Sequence, residues 1–422
     1  MFASFVPIIA LLRGTAFLLA ASGLHSLLLP LRGQAEGFST TSLGLLGTAW
    51  AGGFVLGCFF APRVVRLAGH VRAFGTFASV GAIVALMTGL IIEPNVWIAL
   101  RAVTGFTMAG AYMVIESWLN ERATNENRGT VFGLYMLVTY GGLMAGQMIV
   151  AAGNVNSASL FMMTGILYCA SLIPTAVSSA ASPKPIRDVS LDIRALYVHS
   201  PVALVGCLLV GVANGAWGTL GAVYGARVSI STFDIALMMS LTGIAGALMQ
   251  IPVGRISDRT DRRFVLAAAA AAAAVFGVLV FLVEPRSGLF VIFMTACYGA
   301  FAYTLYALAV AHANDHADPD EFVKVSSGLL LMYGFGTMIG PLIGSALMSA
   351  MRPESLFLAT ALAHALLAAY TMLRIRARAP VPLDERDAFR TVPAERAMTP
   401  QSVQLDPRTG ENGDNIPEEK AA

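Results

Sequence analysis

WIALRAVTGFTMAGAYMVIESW, Trp97 to Trp118, is the stretch whose reading decides the fold. It is almost wholly apolar, and a tryptophan closes each end. The two tryptophans lie 21 residues apart (118 − 97). At about 1.5 Å of rise per residue that is roughly 31 Å of helix, the thickness of a bilayer's hydrocarbon core. Tryptophan favours the membrane–water interfaces, so the stretch predicts one full span. Arg101 and Glu116 sit inside it, and a charge at that depth must face a partner or water. Arg101, Gly105, Met108, Tyr112 and Glu116 step by three or four residues and share one face. That face must look toward other helices or an aqueous cavity.

The rest of the chain has the composition to supply them. Hydrophobic residues make up 56 % of the 422 and charged residues 12 %, against about 25 % charge in a soluble domain. Mean hydropathy is +0.70. A soluble class is excluded, and a net charge of +2 offers no reason to expect a nucleic-acid partner. Cys58, Cys169, Cys207 and Cys297 all fall in apolar runs without a CxxC pair, so neither a disulfide nor a metal site is expected. The first apolar run continues to Pro30 without a small-residue cleavage site and reads as a span, not a removed signal peptide.

Twelve apolar stretches stand out: 5–30, 41–61, 72–92, 97–119, 130–152, 157–178, 201–224, 233–253, 264–283, 288–311, 326–350 and 354–374. Runs of this length in lipid must be helices, which satisfy their own backbone. Placing the N-terminus inside puts sixteen Lys and Arg residues in inner loops and four in outer ones. Excess positive charge marks the cytoplasmic side, so both termini are expected there. Residues 179–200 are polar, with two prolines, and divide six spans (1–178) from six (201–375). Residues 376–422 are charged and poor in large apolar groups, and read as a disordered cytoplasmic tail.

The halves echo each other. Gly142-x-x-x-Gly146 matches Gly336-x-x-x-Gly340 at an offset of 194, and Gly53 matches Gly246 at 193. A parallel repeat of two six-helix halves is a recurring transporter plan. Glycines four apart also let helices approach closely.

The loop after the eighth span reads Gly254-Arg-Ile-Ser-Asp258-Arg259-Thr-Asp261-Arg262-Arg263. It resembles the G-x-x-x-D-R-x-G-R-R/K loop of the major facilitator superfamily (MFS), with Asp261 in place of the second glycine. After the second span the same place holds Arg66 where the aspartate would stand. Arg101-Ala-Val-Thr-Gly105 resembles the superfamily's R-x-x-x-G motif, associated with proton-coupled members. Gly336-Thr-Met-Ile-Gly340-Pro341-Leu-Ile-Gly344 resembles its G-x-x-x-G-P-x-x-G motif, which antiporters carry in the fifth span; this chain has Gly146-Gln147 there. The stretch 115–136 and His312-Ala-Asn314-Asp315-His316 are similar to the YcaD-like branch of bacterial inner-membrane facilitators. The resemblance implies an all-α membrane fold of twelve transmembrane helices in two pseudo-symmetric bundles. It implies alternating access around a central site, with helices one, four, seven and ten beside the cavity.

Candidate residues follow. Arg101 either couples a proton or binds an anionic group, unless it is a structural arginine bonded to carbonyls. Glu116, the one acid well inside a span, either carries a proton or gates the inner end beside Arg13. Tyr112 shares their face. By the resemblance, Asn214, Trp217 and Tyr303 line the cavity from the second half. Gly254, Asp258, Arg259 and Arg262 form a conformational latch on the inner face, and Gly336, Gly340 and Pro341 a packing motif. No nucleophile–base pair, metal cluster or phosphate loop is apparent. The expectation is a non-enzyme without metal or cofactor, moving a small organic solute through the cytoplasmic membrane and driven by a proton gradient. A multidrug/proton antiporter and a non-transporting sensor are the alternatives. No obligate protein partner is inferred.

Overall fold

The computed structural model describes residues 2–124, 127–176, 193–316 and 322–377, together with Val381, Pro382, Arg386, Phe389 and Thr399. Among them are fourteen helices: α1 (Phe2–Ala35), α2 (Thr40–Ala68), α3 (His70–Leu90), α4 (Pro94–Arg122), α5 (Arg128–Ala152), α6 (Ser159–Ala176), α7 (Ile193–His199), α8 (Pro201–Arg227), α9 (Thr232–Arg259), α10 (Arg262–Val283), α11 (Gly288–Ala302), α12 (Leu305–Asn314), α13 (Phe322–Ala350) and α14 (Ser355–Ala377). Each expected span has its helix. Eleven are long and apolar enough to cross a membrane, counting Gly288–Asn314 as one, and the apolar helix Ser159–Thr175 is shorter. The short α7 lies in the linker, whose earlier residues fall outside the described set. Most of the expected disordered tail also falls outside it.

Local sequence sets the helix ends. Glu93 caps α4, its carboxylate accepting from the Val96 N–H at 2.8 Å, and Pro94 takes the first turn, where a missing N–H costs nothing. Those hydrogen bonds, Val96 first and Asn95 second, hold the Glu93 carboxyl below the usual range. Ser39 and Ser231 cap α2 and α9 in the same way. The tenth span is broken: Tyr303 and Thr304 separate α11 from α12. The Tyr303 carbonyl, left outside the helical ladder, accepts from Gln250 Nε2 at 3.2 Å. Non-helical backbone at membrane depth is tolerated where protein satisfies it or where it lines a cavity.

The glycine pairs are crossing points, and they repeat. A Cβ on Gly146 of α5 would fall 2.1 Å from the Ala20 carbonyl oxygen of α1, and one on Gly340 of α13 would fall 2.0 Å from the Val212 carbonyl oxygen of α8. Gly53 meets Ala102 of α4, and Gly246 meets Gly299 of α11 and Tyr303 just past it. First-on-fifth and second-on-fourth contacts in one half thus recur as seventh-on-eleventh and eighth-on-tenth in the other. The molecule is two pseudo-symmetric six-helix bundles.

The tryptophans that bracket the opening stretch do mark the ends of α4, but they are not a lipid-facing belt. Trp97 is fully buried, donates from Nε1 to the Ile91 carbonyl at 2.7 Å and packs on Phe38 and Phe161. Trp118 is buried beside His70. An indole whose N–H finds a carbonyl partner can leave the interface for the protein interior. Every residue of α4 from Thr107 to Glu116 is buried, so this helix runs through the middle of its bundle.

Candidate functional site

A cavity of about 90 Å³ lies where the halves meet. Ser22 and Ser26 of α1, Trp50 of α2, Arg101 and Tyr112 of α4, and Gln147 of α5 line it from the first half. Asn214, Gly218 and Ala222 of α8, Met239 of α9, Tyr303 at the helix break and Tyr333 of α13 line it from the second. The spans involved are the first, second, fourth and fifth of one half and their repeats in the other. Asn214 Nδ2 reaches the Tyr333 hydroxyl at 3.4 Å, and the Tyr333 ring packs on Tyr306. Arg101 is the sole ionised side chain among the described lining residues. The wall therefore combines one cation with amide, hydroxyl and aromatic groups, a set that orients a polar organic molecule.

At the end of the bundle away from Arg63, Arg66 and Arg72 the halves touch directly. Arg227 donates from Nη2 to Thr40 Oγ1 at 2.6 Å and from Nε to Gln34 Oε1 at 3.3 Å. Thr48 Oγ1 donates to the Met338 carbonyl at 2.8 Å. Gly44 abuts Ser345 and the Pro341 carbonyl, so near that a Cβ would lie 2.5 Å from Ser345 Oγ. Ser240 Oγ donates to Gln147 Oε1 at 2.7 Å, joining α9 to α5 at the cavity wall. These contacts close the cavity at that end.

Arg101, Tyr112, Asn214 and Tyr303, all expected at the site, do meet at the cavity. Three expectations change. Trp217 packs away from it, 1 % exposed, in an aromatic cluster with Tyr298 and Phe357 at centroid distances of 5.9 and 5.4 Å. The cavity stripe of α8 is Asn214, Gly218, Ala222, one residue every four, and Trp217 stands about 100° round the helix from Gly218. The charged face of α4 is also shared out: Gly105 packs against the Trp50 carbonyl and Met108 meets the Tyr168 hydroxyl, leaving Arg101 and Tyr112 to the cavity. Finally, Arg13 does not pair with Glu116. Nine residues, two and a half turns, separate Arg13 from Ser22, so it faces away from the cavity side of α1. It sits in an exposed stripe between Ile9 and Phe17. An arginine among apolar side chains near a helix end extends its stem along them and sends its head toward water.

Glu116 is fully buried in the basic half of α4. It accepts from the Tyr135 hydroxyl of α5 at 3.1 Å on Oε1, and from the Thr399 hydroxyl and backbone N–H on Oε2, the latter at 3.3 Å.

On the basic face the latch is a buried charge network. Arg262, 2 % exposed, bonds Asp315 at 2.7 Å, Asp258 at 3.1 Å and the Ser257 hydroxyl at 3.0 Å. Arg259 is exposed. Asp261 caps α10 and pairs with Arg263 at 2.7 Å. Burial works to raise the Asp261 carboxyl, but the Arg263 bonds and charge, with Arg386 behind them, hold it below the usual carboxylate range. Gly254 lies under the Phe389 ring, while Gly336, Gly340 and Pro341 serve helix packing and the closure at the opposite end.

Sequence reasoning missed Gln147, Trp50, Ser22, Ser26, Tyr333, Tyr135 and Asp315. Two had a signal. Gln147 is the departure from the expected glycine-proline pattern in the fifth span, and Asp315 falls, by span count, at the same end as Arg255, Arg259, Arg262 and Arg263, which does not say which of them it meets. The others are common residue types whose direction depends on helix rotation.

A family model described as Major Facilitator Superfamily matches residues 11–284 and 202–407. The uncharacterized MFS-type transporter YcaD of Shigella flexneri serotype 5b (strain 8401) is 27 % identical over 354 residues, 83 % of this chain and 91 % of the relative. YcaD of Escherichia coli O139:H28 (strain E24377A / ETEC) matches equally, at 27 % over 354 residues. Among solved structures, the nucleoside transporter NupG superposes with a TM-score of 0.75 at 13 % identity, covering 88 % of this chain and 100 % of that one. A bacterial homologue of the human lysosomal transporter Spinster, inward-facing and occupied, gives 0.69 at 16 %, covering 90 % and 97 %. A D-xylose–proton symporter gives 0.66 at 14 %, covering 91 % and 99 %.

Proposed function

This chain belongs to the Major Facilitator Superfamily, and on that premise we propose that it is a secondary transporter of an anionic or zwitterionic organic solute, coupled to protons. The cavity between the halves carries the reading, because Arg101 is the one ionised side chain among its described lining residues and the other polar side chains of that set are neutral. A buried cation beside amides and hydroxyls rewards a ligand carboxylate or phosphate with charge-assisted bonds. The contacts support alternating access: side chains of both halves close one mouth, and rocking the halves apart there would break those bonds while closing the other end. By the positive-inside rule the basic end is cytoplasmic, which puts both termini there and makes the closed end the outer one.

Glu116 is the proton carrier in this reading. Fifteen residues of helix, about 22 Å of rise, separate it from Arg101, so the two act at different depths. A carrier needs a neighbour that can bond its carboxyl with and without the proton, and the Tyr135 hydroxyl, able to donate or accept, is one.

The test is flux through reconstituted protein. Organic acids, amino acids, sugars, nucleosides and cationic drugs are first screened by thermal shift, since a ligand that binds the folded state stabilises it. Each stabilising solute is then assayed in proteoliposomes. We expect an acidic or zwitterionic solute to exchange. Glu116→Gln should abolish uphill uptake driven by a pH gradient and spare counterflow, which moves no net proton. Normal pH-driven uptake in that variant overturns the coupling. Exchange of cationic drugs alone makes the protein an efflux antiporter. Binding without any flux makes it a sensor.

A further inference from the structure

Past α14, the described residues Arg386, Phe389 and Thr399 lie on the basic face and touch both halves. Arg386 Nη1 donates to the Thr260 carbonyl at 2.6 Å, just past α9. The Phe389 N–H donates to Asp258 Oδ1 at 2.8 Å, and its ring lies against Gly254, where a Cβ would be 2.1 Å from Phe389 Cδ1. Thr399 is fully buried and reaches across to the other half, giving Glu116 both its hydroxyl and its N–H.

We infer that the inner mouth is a binding site for the chain's own tail, and that Phe389 and Thr399 plug it, so that the tail must leave before Glu116 can serve transport. The physical grounds are threefold. The carboxylate that would exchange protons with the cytoplasm is occupied by two donors from one tail residue. Asp258, whose re-pairing would accompany rocking, is shared between Arg262 and the Phe389 backbone. And the tail ties α9 to α4 across the gap that rocking must close. None of these bonds needs to be strong. A tethered segment meets its site at an effective concentration in the millimolar range, so a few weak contacts hold it in place. Gly254 fits this role as well, because a larger residue there would take the space of the ring.

The inference uses the proposed function only to say what the plug blocks; its test needs no substrate. In full-length protein freed of the four native thiols, Cys58, Cys169, Cys207 and Cys297, Ser22→Cys places a single thiol on the cavity wall. A charged thiosulfonate reagent is applied from the basic side in inside-out vesicles. Phe389→Ala with Thr399→Ala should raise the labelling rate about tenfold if the tail covers the mouth nine-tenths of the time, since only the open fraction reacts. A second variant set pairs Gly254→Cys with Phe389→Cys, the new side chain taking space that the ring vacates. Oxidation should join them and keep the Ser22→Cys site slow, and reduction should release it. Equal labelling rates in the parent and the Phe389/Thr399 variant overturn the plug, as does a Gly254/Phe389 pair that does not cross-link. A flux assay that failed while these held would sink the transport reading and leave the plug standing.

Discussion

The two halves of the molecule share a skeleton and differ in chemistry. In both, a glycine on the fifth span (α5) or its repeat, the eleventh (α13), lets a neighbouring carbonyl within 2.1 Å of where a Cβ would be. On the basic face they part. The second half buries Arg262 between Asp258 and Asp315. The first has Arg66 where that aspartate would stand, and His70 Nε2 lies 3.2 Å from the Ser117 hydroxyl. The cavity is unequal too: the first half brings Arg101, the second brings Asn214, Tyr303 and Tyr333. Close backbone crossings admit no side chain, so they hold both halves to one design. Charges at a helix end can be replaced one at a time, so they diverge.

The largest expected effect tests the shared part. Gly146→Leu and Gly340→Leu each force a side chain into a neighbouring backbone and should each cost about 3 kcal/mol or more. Thermal unfolding in detergent should show large and similar losses for both. A loss confined to one half would break the symmetry of the skeleton. The next effect tests the part that differs. Asp315→Asn strips the closest carboxylate from an arginine that is 2 % exposed, and should cost about 3 kcal/mol. Asp258 is 33 % exposed, and Asp258→Asn should cost about 1 kcal/mol or less. The same melts measure both, and equal costs would mean that burial does not rank these two pairs. Its further effect, a shift between inward- and outward-open forms, is read from thiol labelling on the two faces. The smallest effect lies between the halves. Ser240→Ala removes the bond to Gln147 and should favour outer opening by about 1 kcal/mol, roughly fivefold in population. Labelling of a cavity thiol from the outer side measures it; an unchanged rate would show that the bond holds nothing closed.

Much of this was legible in the chain. Twelve spans follow from apolar runs whose length only lipid explains, and the repeat from glycine offsets of 193 and 194. Arg101 and Tyr112 could be placed at a site because a charge within a span has nowhere else to go. Trp217 and Arg13 could not. Both lie on helices that border the cavity, and a rotation of about 100° or 180° separates lining from packing. Spacing alone does not say which face of a helix nearly apolar all round points inward. Asp315 was unreadable as Arg262's partner because the two stand 53 positions apart in the chain (315 − 262).

The sequence by itself determined that this is a membrane protein of two repeated halves, with charges inside the spans that demand a cavity or a partner. Those are consequences of the cost of polar groups in lipid, which acts on each segment separately. Only the tertiary structure decided that Glu116 lies with Tyr135 and Thr399 instead of Arg13, that the mouth away from the basic end is closed, and that Phe389 lies on the basic one. Contacts of that kind join groups up to 283 residues apart. They depend on how rigid helices rotate and cross, and no local pattern records that geometry.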